Sequence, residues 1–388
     1  MREIYLDNSA TTALSPLVKE RMTAVMEHYG NPSSLHAKGN DAHDILETAR
    51  RQVGEGFGAR RPEPGEILFT SCGSESDNLA ILGCAYAKPR RKGGKILTTD
   101  SEHAAVENTM RRLEADGFEV ARIRTVGGEL DMEQLRAELN SRVFLLSMMM
   151  VNNETGALYD LKSAFGAAKR FNPDIVTHTD AVQGFLKCRF TPKGIGADLV
   201  TVSAHKIHGP KGVGALWVSA DSRRRRDLVP WLIGGGQEAG FRSGTENVIG
   251  IAGFGAAVQE GLSEMSADIE HLRELQNLAI EKLQSLPVTL NLPKGASAPH
   301  VLNLTLPSIR SETMLHALSQ KGIYISNGSA CSSHSKNPSS ALMAFGLSEE
   351  ETEASIRISF SRFNTEEDVL ELADALGECI EHLVRAKR

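Results

Sequence analysis

Between residues 66 and 218, short β-branched and aliphatic runs alternate with longer stretches whose apolar positions recur at helical spacing. That alternation predicts a parallel sheet covered by helices. The strands are expected at 66–70, 95–99, 118–123, 143–150, 175–179 and 197–203, with helices at 74–87 and 104–115. The run from Val143 to Val151 is the most apolar. It is far shorter than the roughly 20 residues needed to cross a bilayer, so it reads as a central buried strand. After Gly255 the pattern changes to a long helix reaching about Leu286, followed by short strands near 288–290 and 301–306. The chain closes on an amphipathic helix opened by Thr365 and Asp368 as a capping pair, with Val369, Leu372, Leu376, Ile380 and Leu383 on one stripe. This second half has α+β character and predicts a smaller second domain.

Composition narrows the function classes. With 41% hydrophobic and 24% charged residues, the 388-residue chain is an ordinary globular sequence long enough for two or three domains. A net charge of −6 excludes a polybasic nucleic-acid binder. The five cysteines (72, 84, 188, 331 and 379) are odd in number and form no Cys-x-x-Cys pair. A disulfide framework, a zinc knuckle and a thioredoxin motif are therefore not expected, nor is any metal site. An N-terminus with Glu3 and Asp7 in place of an apolar signal stretch points to the cytoplasm. The basic run Arg223–Arg226, flanked by Asp221 and Asp227, reads as a solvated face before it reads as a docking patch.

Open α/β sheets bind ligands beyond the carboxyl ends of their strands. At the first such end, Ser71-Cys72-Gly73-Ser74 precedes a helix; it suits an anion on backbone N–H groups and equally suits a tight connection capped by Ser74. No Walker sequence occurs, and Gly253-Phe254-Gly255 fails as a dinucleotide fingerprint. Asp180 and Lys206 each follow a short β run, with Ser203 and His205 beside the lysine. Pyridoxal phosphate needs that set: a Schiff-base lysine, a carboxylate for the pyridine nitrogen and phosphate donors. Ser203-x-x-Lys206 and Ser76-Asp77-Asn78 also match two β-lactamase elements, but in reversed order and without Lys-Thr-Gly. His103 stands at another strand end, where it can stack on a cofactor ring and shuttle protons. Asn152, Asn153 and Glu154 follow the most buried strand, which marks them for ligand contact. Cys331 sits among Gly328, Ser329, Ser332 and Ser333, a loop composition that leaves a thiol accessible as a nucleophile.

Taken in order, Tyr5–Thr12, Gly30–His36, Ser101-Glu102-His103, Val151–Glu154, Asp180–Gln183, Ser203–Lys206, Arg242–Thr245 and Gly328–Ser333 resemble cysteine desulfurases of the NifS/IscS type. The resemblance covers nearly the whole chain and departs from the family's usual glycine at Cys72. It implies a fold-type I pyridoxal-phosphate transferase in the class V aminotransferase family, working as a homodimer. A mostly parallel seven-stranded sheet would lie between helices in a large domain at 16–254, with a small α+β domain made of 1–15 and 255–388. Lys206 would carry the cofactor, Asp180 would pair with its ring nitrogen, and Gln183 would contact its hydroxyl. Gly73, Ser74, Ser203 and His205 would hold the phosphate, with Thr245 supplied by the neighbouring subunit. His103 would move protons, Asn153 and Arg357 would bind L-cysteine, and Cys331 would take its sulfur as a persulfide. The sulfur would then pass to an acceptor protein for iron–sulfur cluster assembly or tRNA thiolation. The alternatives are a related lyase or aminotransferase in which Cys331 is incidental, and a non-catalytic scaffold.

Overall fold

A computed structural model describes residues 2–59, 61–327 and 338–386; Cys331 lies outside the described residues. The strands are β1 (Ile4–Tyr5), β2 (Ile67–Thr70), β3 (Lys95–Thr99), β4 (Glu119–Ile123), β5 (Val143–Ser147), β6 (Val176–Asp180), β7 (Leu199–Ser203), β8 (Gly214–Val218), β9 (Thr289–Leu290), β10 (Val301–Thr305), β11 (Ile323–Tyr324), β12 (Ser326–Asn327) and β13 (Ser355–Ser359). β2 to β8 form one seven-stranded sheet in the order β2-β8-β7-β6-β5-β3-β4. Within it β8 is antiparallel to both neighbours, and every other pairing is parallel. β3, β5, β6 and β7 are buried along their whole length, as strands covered on both faces must be.

The second half of the helix Gly73–Tyr86 is apolar nearly all round, with Leu79 to Ala85 buried. Such a helix is stable only when covered on every side, and it lies against β6, β7 and β8. A second, antiparallel sheet runs β12-β13-β10-β9. β1 pairs in parallel with β11. The helix Val248–Leu283 spans two cores, placing Ile251, Phe254 and Val258 in the large-sheet core and Leu272, Leu275 and Ala279 in the core beside the second sheet.

Two boundaries depart from the hydrophobic pattern. The apolar run 143–150 leaves the regular strand at Ser147 because Met149 N donates to the Glu102 carboxyl oxygen at 2.9 Å instead of to a neighbouring backbone. The long helix starts at Val248, capped by Asn247, ahead of the expected Gly255. Its glycines hide the periodicity because they serve a close helix contact: a Cβ on Gly255 would lie 3.0 Å from Ala49 Cα. At the C-terminal helix, Thr365 and Asp368 cap each other reciprocally, through Thr365 N to Asp368 Oδ2 at 3.1 Å and Asp368 N to Thr365 Oγ1 at 3.3 Å. Among the described residues no helix is long and apolar enough to cross a membrane.

Candidate active site

Adjacent parallel strands β6 and β7 carry the central pair. β6 ends on Asp180, and β7 ends on Ser203 and turns at once through Ala204–Lys206. Lys206 Nζ donates to the carbonyls of Ser9 (2.5 Å) and Ala10 (2.8 Å). Asp180 Oδ1 accepts from Val182 N at 2.8 Å. Burial raises the Asp180 pKa, opposed by His103, by that backbone N–H and by Lys206. A carboxyl so desolvated gains most from a buried positive partner such as a protonated ring nitrogen.

The start of the helix Gly73–Tyr86 could receive an anion. Its N-cap is Cys72, not Ser74, and it has no side-chain cap bond. The helix dipole and first-turn N–H groups are thereby directed at the cavity without a competing cap. A Cβ on Gly73 would sit 2.8 Å from Val182 Cγ2, so only glycine keeps the chain this close. Ser203 Oγ, buried in the same wall, has no hydrogen-bond partner. His205 faces Thr11 Oγ1 across 3.2 Å, and burial pushes its pKa down to about 4, aided by Lys206, Lys211 and Lys187. It is therefore a neutral donor at physiological pH.

A cavity of about 210 Å³ brings together Gly73, Ser74, His103, Asn153, Asp180, Gln183, Ser203, His205, Lys206 and Arg357. His103 caps the helix Ala104–Ala115, its Nδ1 accepting from Ala105 N at 3.2 Å, which puts the proton of the neutral ring on Nε2. Arg357 is buried; Nη1 donates to Asn153 O (3.0 Å), Nη2 to Asp7 Oδ1 (2.7 Å), and Nε has no partner. Gln183 Nε2 donates to Ser9 O at 2.9 Å, while its Oε1 faces Lys187 Nζ and His300 Nε2, each at 3.3 Å.

Asn152 does not serve the cavity. Its Oδ1 accepts from Glu154 N and Thr155 N and its Nδ2 donates to Ser101 O, so it builds the turn that presents Asn153. Thr245 is exposed and outside the cavity wall. The Ser9 and Ala10 carbonyls are contributions that reading for reactive side chains passes over, since backbone oxygens leave no trace in residue type, and the Asp7 carboxylate gives no sign in sequence that it holds Arg357. A larger cleft of about 950 Å³, lined by Met132, Phe190 and Arg273 among others, holds none of the expected site residues. Three arginines of the basic run have local partners: Arg223 pairs with Glu63, Arg224 with Asp221, and Arg225 with Asp227.

Pyridoxal phosphate fits these residues. The unpartnered Ser203 hydroxyl, the uncapped helix start at a glycine that admits no Cβ, the buried Asp180 and the amine of Lys206 match its phosphate, ring nitrogen and aldehyde in turn.

The profile of the family "Aminotransferase class-V" matches residues 4–372. A cysteine desulfurase of Trichormus azollae is 38% identical over 99% of this chain and 94% of its own length. The solved structure of a "NifS-like protein" superimposes with a TM-score of 0.91 at 34% identity, covering 98% of this chain and 100% of that one. The structure described as "SspA in complex with cysteine" superimposes with a TM-score of 0.80 at 33% identity, covering 93% of this chain and all of that one.

Proposed function

The chain belongs to the aminotransferase class-V family, and from that premise we propose that it acts as a cysteine desulfurase. It converts L-cysteine to L-alanine and collects the sulfur on Cys331 as a persulfide. The observation that carries this reading is the Lys206–Asp180 pair facing the unpartnered Ser203 hydroxyl across one cavity, with Arg357 in the same wall. β12 ends at Asn327, four residues before Cys331, and Ser326 pairs with Arg357 on β13. Four extended residues span about 14 Å.

Bound pyridoxal phosphate supplies an electron sink conjugated to the substrate Cα. Arg357 receives the substrate carboxylate on N–H groups left over from Asp7 and Asn153, beginning with Nε. Lys206 Nζ takes the Cα proton, and His103 Nε2 exchanges protons with the departing fragment. The Cys331 thiolate attacks the substrate sulfur; a sulfur–sulfur bond forms, the substrate Cβ–S bond breaks, and its electron pair stays with the carbon fragment. Two protons return to that fragment, one at Cβ and one at Cα, so that cysteine and a thiol become alanine and a persulfide.

A second copy of the chain completes the site. Thr245 is exposed two residues after Ser243, whose N–H donates to the Leu232 carbonyl at 3.0 Å, and Trp231, Leu232 and Ile233 are exposed large apolar residues. That surface suits a homodimer in which Thr245 reaches the partner's phosphate site. Cys72, Cys84, Cys188 and Cys379 are free thiols, which suits the reducing cytoplasm. A protein of iron–sulfur assembly or tRNA thiolation takes the sulfur from Cys331.

The test is alanine released from L-cysteine by the cofactor-loaded protein, with Cys331→Ser in parallel. Alanine from the wild type and almost none from the variant supports the proposal. Equal release from both would leave a lyase in which Cys331 is incidental.

A further inference from the structure

Both ends of the segment containing Cys331 are fastened to the substrate side of the cavity. At the upstream end, Ser326 is paired with Arg357. At the downstream end, Ser339 Oγ lies 2.5 Å from Glu154 Oε2, and both residues are buried. Ser339 is the N-cap of the helix Ser340–Phe345, so its lone pair accepts from Leu342 N (3.2 Å) and its proton goes to Glu154. Glu154 is held on a stiff turn: its N–H donates to Asn152 Oδ1 at 3.0 Å, and its carbonyl accepts from Asn303 Nδ2 at 3.2 Å. The preceding residue, Asn153, gives its carbonyl to Arg357. One turn therefore touches the substrate arginine with its backbone and the far end of the Cys331 segment with a side chain.

The reaction proposed above makes no use of the Glu154 carboxyl. We propose that Glu154 is a positioning residue for sulfur transfer, fixing through Ser339 the downstream end of the Cys331 segment to the same turn that orients Arg357. This rests on the desulfurase reading. A charge-assisted bond between buried groups is worth more than a surface contact, and here it fixes Ser339, eight residues after Cys331. Burial lifts the Glu154 pKa to about 7, against the lowering effects of the Ser339 hydroxyl, Arg357 from β13 and His103 from the start of its helix. The link is tightest when Glu154 is ionised.

The experiment follows the persulfide on Cys331 by rapid quench and mass spectrometry after mixing the loaded enzyme with L-cysteine. Ser339→Ala and Glu154→Gln are expected to slow its formation about tenfold, and Ser339→Thr to restore it to within about twofold, as loss and return of a charge-assisted bond require. KM for L-cysteine stays within about twofold, because Arg357 is untouched. The double variant is no slower than the slower single one, as members of one link should behave. The wild-type rate rises with pH through about 7, and Glu154→Gln flattens that rise. Ser339→Ala also removes a helix cap, so Glu154→Gln, which leaves the cap in place, decides if the alanine variant is unstable. Variants that transfer sulfur at the wild-type rate, or whose effects add in full, would overturn the link while leaving the desulfurase reading intact. A wild type that forms no persulfide overturns both.

Discussion

Arg357→Lys keeps the charge at the proposed substrate site and removes the fork. The guanidinium is buried, at 1% exposure, and spends two N–H bonds on the protein in diverging directions, one on Asn153 O and one on Asp7 Oδ1. Its Nε has no acceptor. A planar five-donor group can hold Asp7 and still offer N–H bonds to a second carboxylate, whereas a lysine ammonium is a single point that must choose. Asp7 is fixed in the fold and competes for that point in every molecule. The variant therefore gives up at least one charge-assisted hydrogen bond to the substrate, worth roughly 1.5–3 kcal/mol. At about 1.4 kcal/mol per factor of ten, KM for L-cysteine rises about 10- to 100-fold.

In the proposed role the fork grips a carboxylate that does not change during the reaction, so kcat should fall much less than kcat/KM. The assay is steady-state alanine formation against L-cysteine concentration, with Tm measured on the same samples. Cysteamine, which lacks the carboxylate, is the internal control: the wild type discriminates against it and Arg357→Lys loses most of that preference. A variant that keeps its Tm and a KM within about threefold of wild type would refute the assignment, because a bond of this class cannot be lost so cheaply.

Lys206→Ala is expected to abolish turnover, and the cofactor should dialyse away from it; retained alanine formation would contradict the proposed base. Gly73→Val places a Cβ 2.8 Å from Val182 Cγ2 and adds bulk beyond it, so cofactor affinity should fall while Tm of the cofactor-free chain changes less. Titration of the apoprotein with pyridoxal phosphate measures it, and unchanged affinity would remove Gly73 from the phosphate site. Burial lifts the Glu102 pKa to about 8, above its unfolded value, so ionisation works against the fold as pH rises. Stability that Glu102 lends in its protonated form is complete below about pH 4.5 and lost on the way to pH 8, so Glu102→Gln should gain on the wild type across that interval by a few kcal/mol at most. Urea unfolding at pH 5 and pH 8 tests the sign, and a constant difference would contradict it. Ile233→Glu puts a charge in an exposed apolar surface and should turn the proposed dimer into monomers of low activity, read by light scattering.

The parallel sheet was legible because its central strands are covered on both faces and so read as plain apolar runs. Asp180, Ser203 and Lys206 stood out for a related reason: polar residues directly after such runs have little to do in packing. Arg357 had no such signal. The sequence Ser355-Ile356-Arg357-Ile358-Ser359 looks like an alternating strand with one wet face, yet every residue of it is buried. Only resemblance singled the arginine out. The Glu154–Ser339 link joins residues that are distant in sequence, each of an ordinary type, and folding alone reveals the pair. Asn152 was singled out as a polar residue beside a buried strand, but it satisfies that rule internally by bonding its own turn.

The segment from Ile4 to Thr12 shows why a stretch without reactive side chains can still be essential to such a site. Ile4 and Leu6 are buried in the core beside the second sheet, where β1 pairs with β11. Asp7 holds Arg357; the Ser9 carbonyl accepts from both Lys206 and Gln183, and that of Ala10 from Lys206. Thr12 N and Oγ1 both donate to the carbonyl of His205, one residue before the lysine. These residues therefore set the distance between the Lys206 amine and the Arg357 guanidinium, the proposed proton acceptor and carboxylate clamp for one small molecule. Misplacing reacting groups by about 1 Å can cost a hundredfold in rate, so neither sheet alone can specify this site. The strap does so largely through backbone carbonyls, which explains its small side chains: a bulky residue at Ser9 or Ala10, both in the cavity wall, would occupy the space the substrate needs.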